Sequence, residues 1–477
     1  MKRKYKSDVK VSKAPVATDQ HGQKYDLLDC IGEGGQGKVH RTNHQGVLVK
    51  LRDRLSDEKR HQWVGDIQDV MRFPLEGLHV ARPLALITEP CAGYVMELMD
   101  GLEPLVDLMQ VTQDSLVGEK GIQGYIDTGG LRRRFRLLAR LARTLADLHG
   151  RGLVYGDLSP ANVFISRSVE HAEVWLIDAD NITWRSRQGM QPVYTPDYGA
   201  PELMRGESGV DTLTESWSFA VMAYQLLTTN HPLKGDLVND GEPELEDVAL
   251  RGELPWVGHE EDCSNEVSTG ITQDLVVSRV LRDMFDRCFN RGLNEPGARP
   301  SLAEWAEAFE QATGHCDQCE ACGSSYFYNT RYKCPFCDHH QENTRSVLLR
   351  SYRYIPPEVF VEQGVEIPED RTQELCWGKP DRALVLRVTD QDSAQPLLST
   401  IQDDLKEKAL CEVQLKEDGL WFAPGLKQEV ILRKESEERP HPINRRQRLK
   451  ADSRRGDRFE LHLGPLEGEH DVWRFMW

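Results

Sequence analysis

The chain lacks any run of about 18 uninterrupted apolar residues, the length a membrane-spanning helix needs. Its opening, MKRKYKSDVKVSK, lacks the apolar stretch and the small-residue cleavage pattern of a secretory signal. Cysteine is scarce outside one place: of eleven, five lie between Cys316 and Cys337. A secreted disulfide scaffold is short and Cys-dense throughout, so this usage excludes one. It points to reduced thiols, a single metal site and a cytoplasmic location. Positive charge is in deficit, with 59 Lys and Arg against 77 Asp and Glu, a net −18. That balance argues against nucleic acid and anionic membrane as partners. What remains is a chain of 477 residues, 39% of them apolar, long enough for two or three units with real cores.

Residues 1–24 are polar and basic and are expected to be a flexible tail. From Tyr25 the texture is globular: LLDCIGEGGQGKVH and then GVLVKL read as strand, glycine turn, strand and strand. Leu131, Phe135, Leu138, Leu141, Leu145 and Leu148 recur at helical spacing, with arginines assigned to the outer face. ESWSFAVMAYQLLTT is apolar nearly all round and is expected to be a buried helix. SLAEWAEAFEQAT opens with Ser301 and, three residues on, Glu304, a capping-box start. Beyond Thr313 the composition turns Cys-rich, and beyond Gln341 it turns to short strand-like segments. Three units follow: 25–313, 314–342 and 345–477.

Four segments carry chemistry. The first is Ile31-Gly32-Glu33-Gly34-Gly35-Gln36-Gly37-Lys38-Val39, with Lys50 following on the next strand. A glycine turn brings backbone N–H groups close to phosphates, and an ammonium group neutralises them. A dinucleotide fold would place a helix straight after the glycines, and this chain does not. The second is Tyr155-Gly156-Asp157-Leu158-Ser159-Pro160-Ala161-Asn162. The third is the apolar strand ending in Asp178-Ala179-Asp180. The fourth runs from Tyr194 to Glu202.

In this order the segments resemble the eukaryotic-like Ser/Thr protein kinase family, over about 25–313. The resemblance implies an α+β, two-lobed kinase-like fold. It implies ATP with Mg²⁺ (or Mn²⁺) as cofactors and Ser/Thr hydroxyls of protein substrates as acceptors. Asp157 would accept the hydroxyl proton, Asn162 and Asp178 would hold the metal, and Lys50 would hold the phosphates. Ile31, Gly32, Gly34, Gly35, Gly37 and Val39 would cover the nucleotide, with Glu97 and Met99 at the adenine hinge. Glu202 would pair with Arg299.

The departures are specific. Glycine stands at 156 where the family has arginine, Ser159 replaces a lysine, and Asp180 replaces a glycine. Glu215 stands for the aspartate that anchors the large buried helix. Asp66 and Asp69 have the spacing to pair with Lys50, whereas Glu58 is too close. These features are similar to a bacterial subgroup with a GD-L-x-P-x-N loop and a C-terminal Cys-pair module. That subgroup includes kinases beside tellurite-resistance and stress operons, which implies operon-encoded substrates. The competing reading is an ATP-binding pseudokinase scaffold that recruits partners through its appended modules.

Cys319-x2-Cys322 and Cys334-x2-Cys337 offer four thiolates to a tetrahedral Zn²⁺, a structural zinc ribbon. The intervening YFYNTRY is expected to form a hairpin, and Cys316 stays an alternative ligand. The last unit offers no catalytic constellation and is expected to be a β-rich interaction module. EDG at 417–419 marks a hairpin turn, Phe459, Leu461 and Leu463 alternate with polar residues, and Trp377, Trp421, Trp473 and Trp477 are expected in the core.

Overall fold

The computed structural model describes residues 15–34, 37–52, 55–184, 194–329, 331–342, 345–368, 371–388, 394–399, 401, 409–425, 429–437 and 439–477. Six antiparallel strands begin the fold: β1 (Val16–Asp19), β2 (Lys24–Gly34), β3 (Gly37–Thr42), β4 (Val47–Arg52), β5 (Ala85–Glu89) and β6 (Ala92–Glu97). They close into a barrel in the order β1-β2-β3-β4-β6-β5. Helix α1 (Asp57–Val70), capped by Ser56, packs Trp63 and Ile67 against Tyr94 and Met96. The segment 1–24 is therefore not all tail. Residues 1–14 lie outside the described residues, but β1 pairs with β2 and β5. Ala17 is buried, and Tyr25 donates a hydrogen bond of 3.0 Å to Asp19.

The second lobe is helical. Helix α2 (Gly130–Gly150) buries the six apolar residues read from its spacing. Its arginines do not all face outward, however. Arg134 is fully buried and donates to the carbonyls of Leu226, Tyr125 and Gly130 and to the hydroxyls of Thr112 and Thr128, at 2.8–3.2 Å. A guanidinium tolerates burial when its N–H groups find acceptors. Helix α3 (Thr212–Thr228) is buried nearly all round, as its sequence implies. Helix α4 (Leu302–Gly314) starts with the Ser301–Glu304 capping box.

Two small strands, β7 (Cys316–Gln318) and β8 (Ser325–Phe327), pair across the first Cys knuckle. The expected YFYNTRY hairpin is thus displaced. The Cys319–Cys322 knuckle is itself the connection between the strands, and a separate bridge, Lys333 to His340, spans the second knuckle. This unit is fastened at both ends. Phe327 packs on Phe135 of α2 at 5.6 Å between ring centroids, and Asp317 pairs with Arg387 of the next unit at 3.0 Å.

That last unit is a two-sheet sandwich around one apolar core. A six-stranded sheet includes β9 (Ser346–Tyr354), β12 (Arg458–Leu463) and β13 (His470–Met476). In the four-stranded sheet, β10 (Ala409–Lys416) and β11 (Gly419–Pro424) meet at the expected turn, with Lys416 opposite Gly419. Strand β13 lies between β9 and β12, so the chain's last strand is central. The alternation along β12 does not leave one face wet. Glu460 is buried against Arg474 (2.7 Å) and His462 against His470 (2.8 Å). Trp473 and Trp477 are in the core. Trp377 and Trp421 are only half-buried and lie under the guanidiniums of Arg474 and of Arg446 and Arg448.

Candidate active site

The segments singled out by sequence converge where the barrel meets the helical lobe. Strands β2 and β3 form the glycine hairpin, with Gly34 opposite Gly37; Gly35 lies outside the described residues. Gly37 sits at φ +126°, and a Cβ there would stand 2.2 Å from the Leu51 carbonyl oxygen, so only glycine fits. Ile31 is exposed and Val39 half-buried. Glu97 ends β6, and Leu98 and Met99 follow it as the connection toward the helical lobe.

Lys50 lies on β4, opposite Val39 on one side and Tyr94 on the other. Its side chain is buried. The ammonium group contacts Asp178 Oδ1 and stands 3.0 Å from Asp180 Oδ2. No carboxylate of α1 takes this place among the described residues, and Asp69 instead pairs with Arg72 at 3.4 Å. The expectation that α1 supplies Lys50 with an acid is corrected here. The acid comes from the D-x-D turn, in which Asp178 was read as a metal ligand and Asp180 only as a departure.

The loop holding Asp157 hangs from helix α3. Glu215 Oε1 accepts the N–H groups of Tyr155 (2.8 Å) and Gly156 (2.9 Å), and Oε2 faces His149 at 2.6 Å. Tyr155 is fully buried, and its hydroxyl donates to the Ile177 carbonyl, tying this loop to the next one. Asp157 Oδ1 accepts a hydrogen bond from Thr195 Oγ1 at 2.9 Å. Asn162 Nδ2 donates to the Asp157 carbonyl at 2.9 Å, and the Ile177 N–H donates to the Asn162 carbonyl at 3.0 Å. These bonds set Asp157, Asn162 and Asp178 side by side. Ser159 is buried, so it offers no cationic substitute for the lysine it replaces. Asp178 holds left-handed backbone angles, φ 60° and ψ 60°, strain of the kind that persists where surrounding structure fixes a functional residue.

The protein kinase domain family matches residues 25–308. The chain belongs to this family. It is 27% identical over 222 residues to the serine/threonine-protein kinase pkn2 of Myxococcus xanthus, covering 45% of this chain and 25% of that protein. It is 27% identical over 231 residues to the DNA damage-responsive serine/threonine-protein kinase RqkA of Deinococcus radiodurans, with 45% and 31% covered. It is 26% identical over 232 residues to the serine/threonine-protein kinase PknB of Mycolicibacterium smegmatis, with 46% and 35% covered. The chain thus spans between a quarter and about a third of the length of these relatives.

Members of the protein kinase family use a divalent cation with ATP. The residues present fit one. Hard cations take oxygen ligands, and Asp178 and the neighbouring Asn162 side chain can supply them. Burial, reinforced by Asp180, pushes the Asp178 carboxyl up to about 6 despite the opposing pull of Lys50.

A second group that could hold a metal ion lies apart. The sulfur atoms of Cys319, Cys322, Cys334 and Cys337 all fall within 4.8 Å of one another, with Cys319 and Cys337 at 3.6 Å and Cys322 and Cys334 at 3.8 Å. Tetrahedral zinc with Zn–S bonds of about 2.3 Å needs sulfurs roughly 3.8 Å apart. Cys316 stands outside this group. Its thiol is buried in the core of the helical lobe, 3.4 Å from the Ala312 carbonyl.

Proposed function

We propose that the chain is a Mg-ATP-dependent protein kinase that phosphorylates Ser and Thr hydroxyls of protein substrates. The observation that carries this reading is the convergence of Lys50, Asp157, Asn162 and Asp178 from separate stretches of chain into one hydrogen-bonded group. Asp157 receives the proton of the incoming hydroxyl, whose oxygen forms the new bond to the γ-phosphorus as the bond to the β-phosphate oxygen breaks. Thr195, bound to the other face of Asp157, fixes the direction of that carboxylate. Lys50 and the glycine hairpin hold the phosphates, Glu97 and Met99 border the adenine, and Asn162 and Asp178 hold the cation. The cation, when bound, neutralises charge on the transferred phosphate.

The finer reading is a bacterial, cytoplasmic member of the GD-L-x-P-x-N subgroup, with operon-encoded substrates of the tellurite-resistance or stress type. Its support is the motif set and the bacterial source of the relatives named above. The four-cysteine cluster supports a structural zinc ribbon, and the sandwich that follows is read as an interaction module. No helix among the described residues is long and apolar enough to cross a membrane.

The test is transfer of label from γ-labelled ATP to a generic protein by the wild type and by Asp157→Ala. The expected result is transfer by the wild type and a fall of at least about a hundredfold in the variant, the scale of a lost general base. Absence of transfer by the wild type, with nucleotide still bound, replaces the enzyme with the scaffold reading.

A further inference from the structure

Lys50 faces two carboxylates, and they differ in what else they must do. On the kinase reading, on which this inference rests, Asp178 is committed to the cation. An ammonium group held only by Asp178 would compete with that cation for the same oxygens. Asp180 has no such duty. Its side chain is 3% exposed, and its Oδ2 stands 3.0 Å from Lys50 Nζ. The same oxygen accepts the indole N–H of Trp63 at 3.3 Å. Trp63 projects from α1 and stacks on Tyr94 of β6, with ring centroids 6.1 Å apart and planes 25° from parallel. The Lys50 ammonium lies 5.7 Å from the Tyr94 ring centre. Lysine, aspartate, indole and phenol thus form one buried group linking α1, the barrel and the D-x-D turn.

A turn residue with no further role would point its carboxylate to solvent. Asp180 instead points inward, where an anion without a cation is expensive. Its other oxygen, Oδ1, is buried with no hydrogen-bond partner among the described residues. Lys50 is the cation that makes this placement tolerable, so each group fixes the other.

We propose that Asp180 is the positioning carboxylate of Lys50, fastened to helix α1 through the Trp63 indole N–H, and that it frees Asp178 to take the cation. Movement of α1 is then felt at Lys50 through Trp63 and Asp180, not through an acidic side chain of the helix.

The experiment is calorimetric binding of Mg·ADP across a range of Mg²⁺, with phosphate transfer measured alongside. In Asp180→Asn, Lys50 is left with Asp178 alone. The Mg²⁺ concentration needed for half-maximal nucleotide binding is expected to rise about tenfold or more, and saturating Mg²⁺ should restore most of the binding. Asp180→Glu should recover part of the loss. Trp63→Phe, which keeps the ring and removes the N–H, should give a smaller shift in the same direction. In a Lys50→Met background, Asp180→Asn should no longer raise the Mg²⁺ requirement. It should also raise the melting temperature above that of Lys50→Met alone, because it removes a buried unpaired charge.

A Mg²⁺ requirement for Asp180→Asn within about twofold of wild type overturns the proposal. So does an equal penalty with and without Lys50. If the wild type transfers no phosphate, the kinase reading fails separately. The binding cycle then still decides the role of Asp180, or the melting cycle does if nucleotide binding is absent too.

Discussion

Arg299 and Glu202 close on each other through two parallel hydrogen bonds, Nη1 to Oε1 at 2.7 Å and Nη2 to Oε2 at 2.8 Å. The Arg299 side chain is fully buried, stacks 4.8 Å from the Trp217 ring centre and also donates to the carbonyls of Gly292 and Leu213. The pair ties the end of the segment running from Tyr194 to Glu202 to the helical core. Removing one partner of such a pair strands the other charge. Arg299→Ala is therefore expected to cost about 3–5 kcal/mol, and Arg299→Lys should recover little because a point charge cannot reproduce the fork. Urea unfolding followed by circular dichroism measures this. A loss below about 1 kcal/mol, the range of an exposed pair, would contradict it.

The Cys cluster predicts one bound zinc per chain. Cys334→Ser should lose it, whereas Cys316→Ser should keep it, because the Cys316 thiol is buried at the Ala312 carbonyl and outside the cluster. A unit this small has no independent core, so metal loss should unfold it locally. Its Phe327 contact with Phe135 then goes too, and the melting temperature of the helical lobe should fall while nucleotide binding survives. Metal analysis of the purified variants decides the ligand set. Full zinc in Cys334→Ser would remove that residue from it.

The legible parts of this protein were those in which chemistry is local. A CxxC knuckle, a glycine hairpin and a capping box each occupy a few adjacent residues, and the backbone follows directly from them. Asp157, Asn162, Asp178 and Glu215 were readable because their order and spacing carry the pattern. The partner of Lys50 was not readable in this way. Which face of α1 meets β4 depends on packing of Trp63, Ile67, Tyr94 and Met96, and that packing turns an indole N–H toward the Asp180 carboxylate that holds the lysine. Arg134 was misplaced because a charge in a helix is normally solvated, and nothing local announces the carbonyls and hydroxyls that three other segments bring to it. Burial of Glu460 and His462 required the long-range pairing of β12 with β13.

His231 predicts a pH dependence in the helical lobe. Its Nε2 donates to the Asp197 carbonyl at 2.8 Å, and its Nδ1 accepts the Leu233 N–H at 3.1 Å. Both ring nitrogens are satisfied only in the neutral form, since a proton on Nδ1 would face another donor. Burial pushes this imidazole from 6.5 down to about 4. The unfolded chain therefore binds the proton first as pH falls. Stability should decline from about pH 6.5 to about pH 4, by roughly 3 kcal/mol from this group, and not further below that. Urea unfolding of wild type and His231→Gln at pH 7 and pH 4 isolates the effect. Equal losses in the two proteins would refute it.

On the kinase reading, Gly156 predicts how phosphate transfer is controlled. It sits at φ +98°, and a Cβ there would stand 2.8 Å from the Asn181 carbonyl oxygen. An arginine cannot occupy this position without moving the turn that carries Asp178 and Asp180. The loop before Glu202 therefore has no guanidinium here to receive a phosphate bidentately, the interaction by which phosphorylation orders such loops. Thr183 is a poor acceptor as well, since its hydroxyl oxygen is buried in a strand paired with Val154; Ser186, Arg185 and Arg187 lie outside the described residues. Transfer to a separate substrate should thus be unchanged by phosphatase treatment, and the Thr183→Ala/Ser186→Ala double variant should stay active. Gly156→Ala, by contrast, should lose activity through strain, and Gly156→Arg should lose more. A fall of more than about tenfold on phosphatase treatment, or ~1.4 kcal/mol in barrier, would mean that another basic group receives a loop phosphate and that control through the loop is retained.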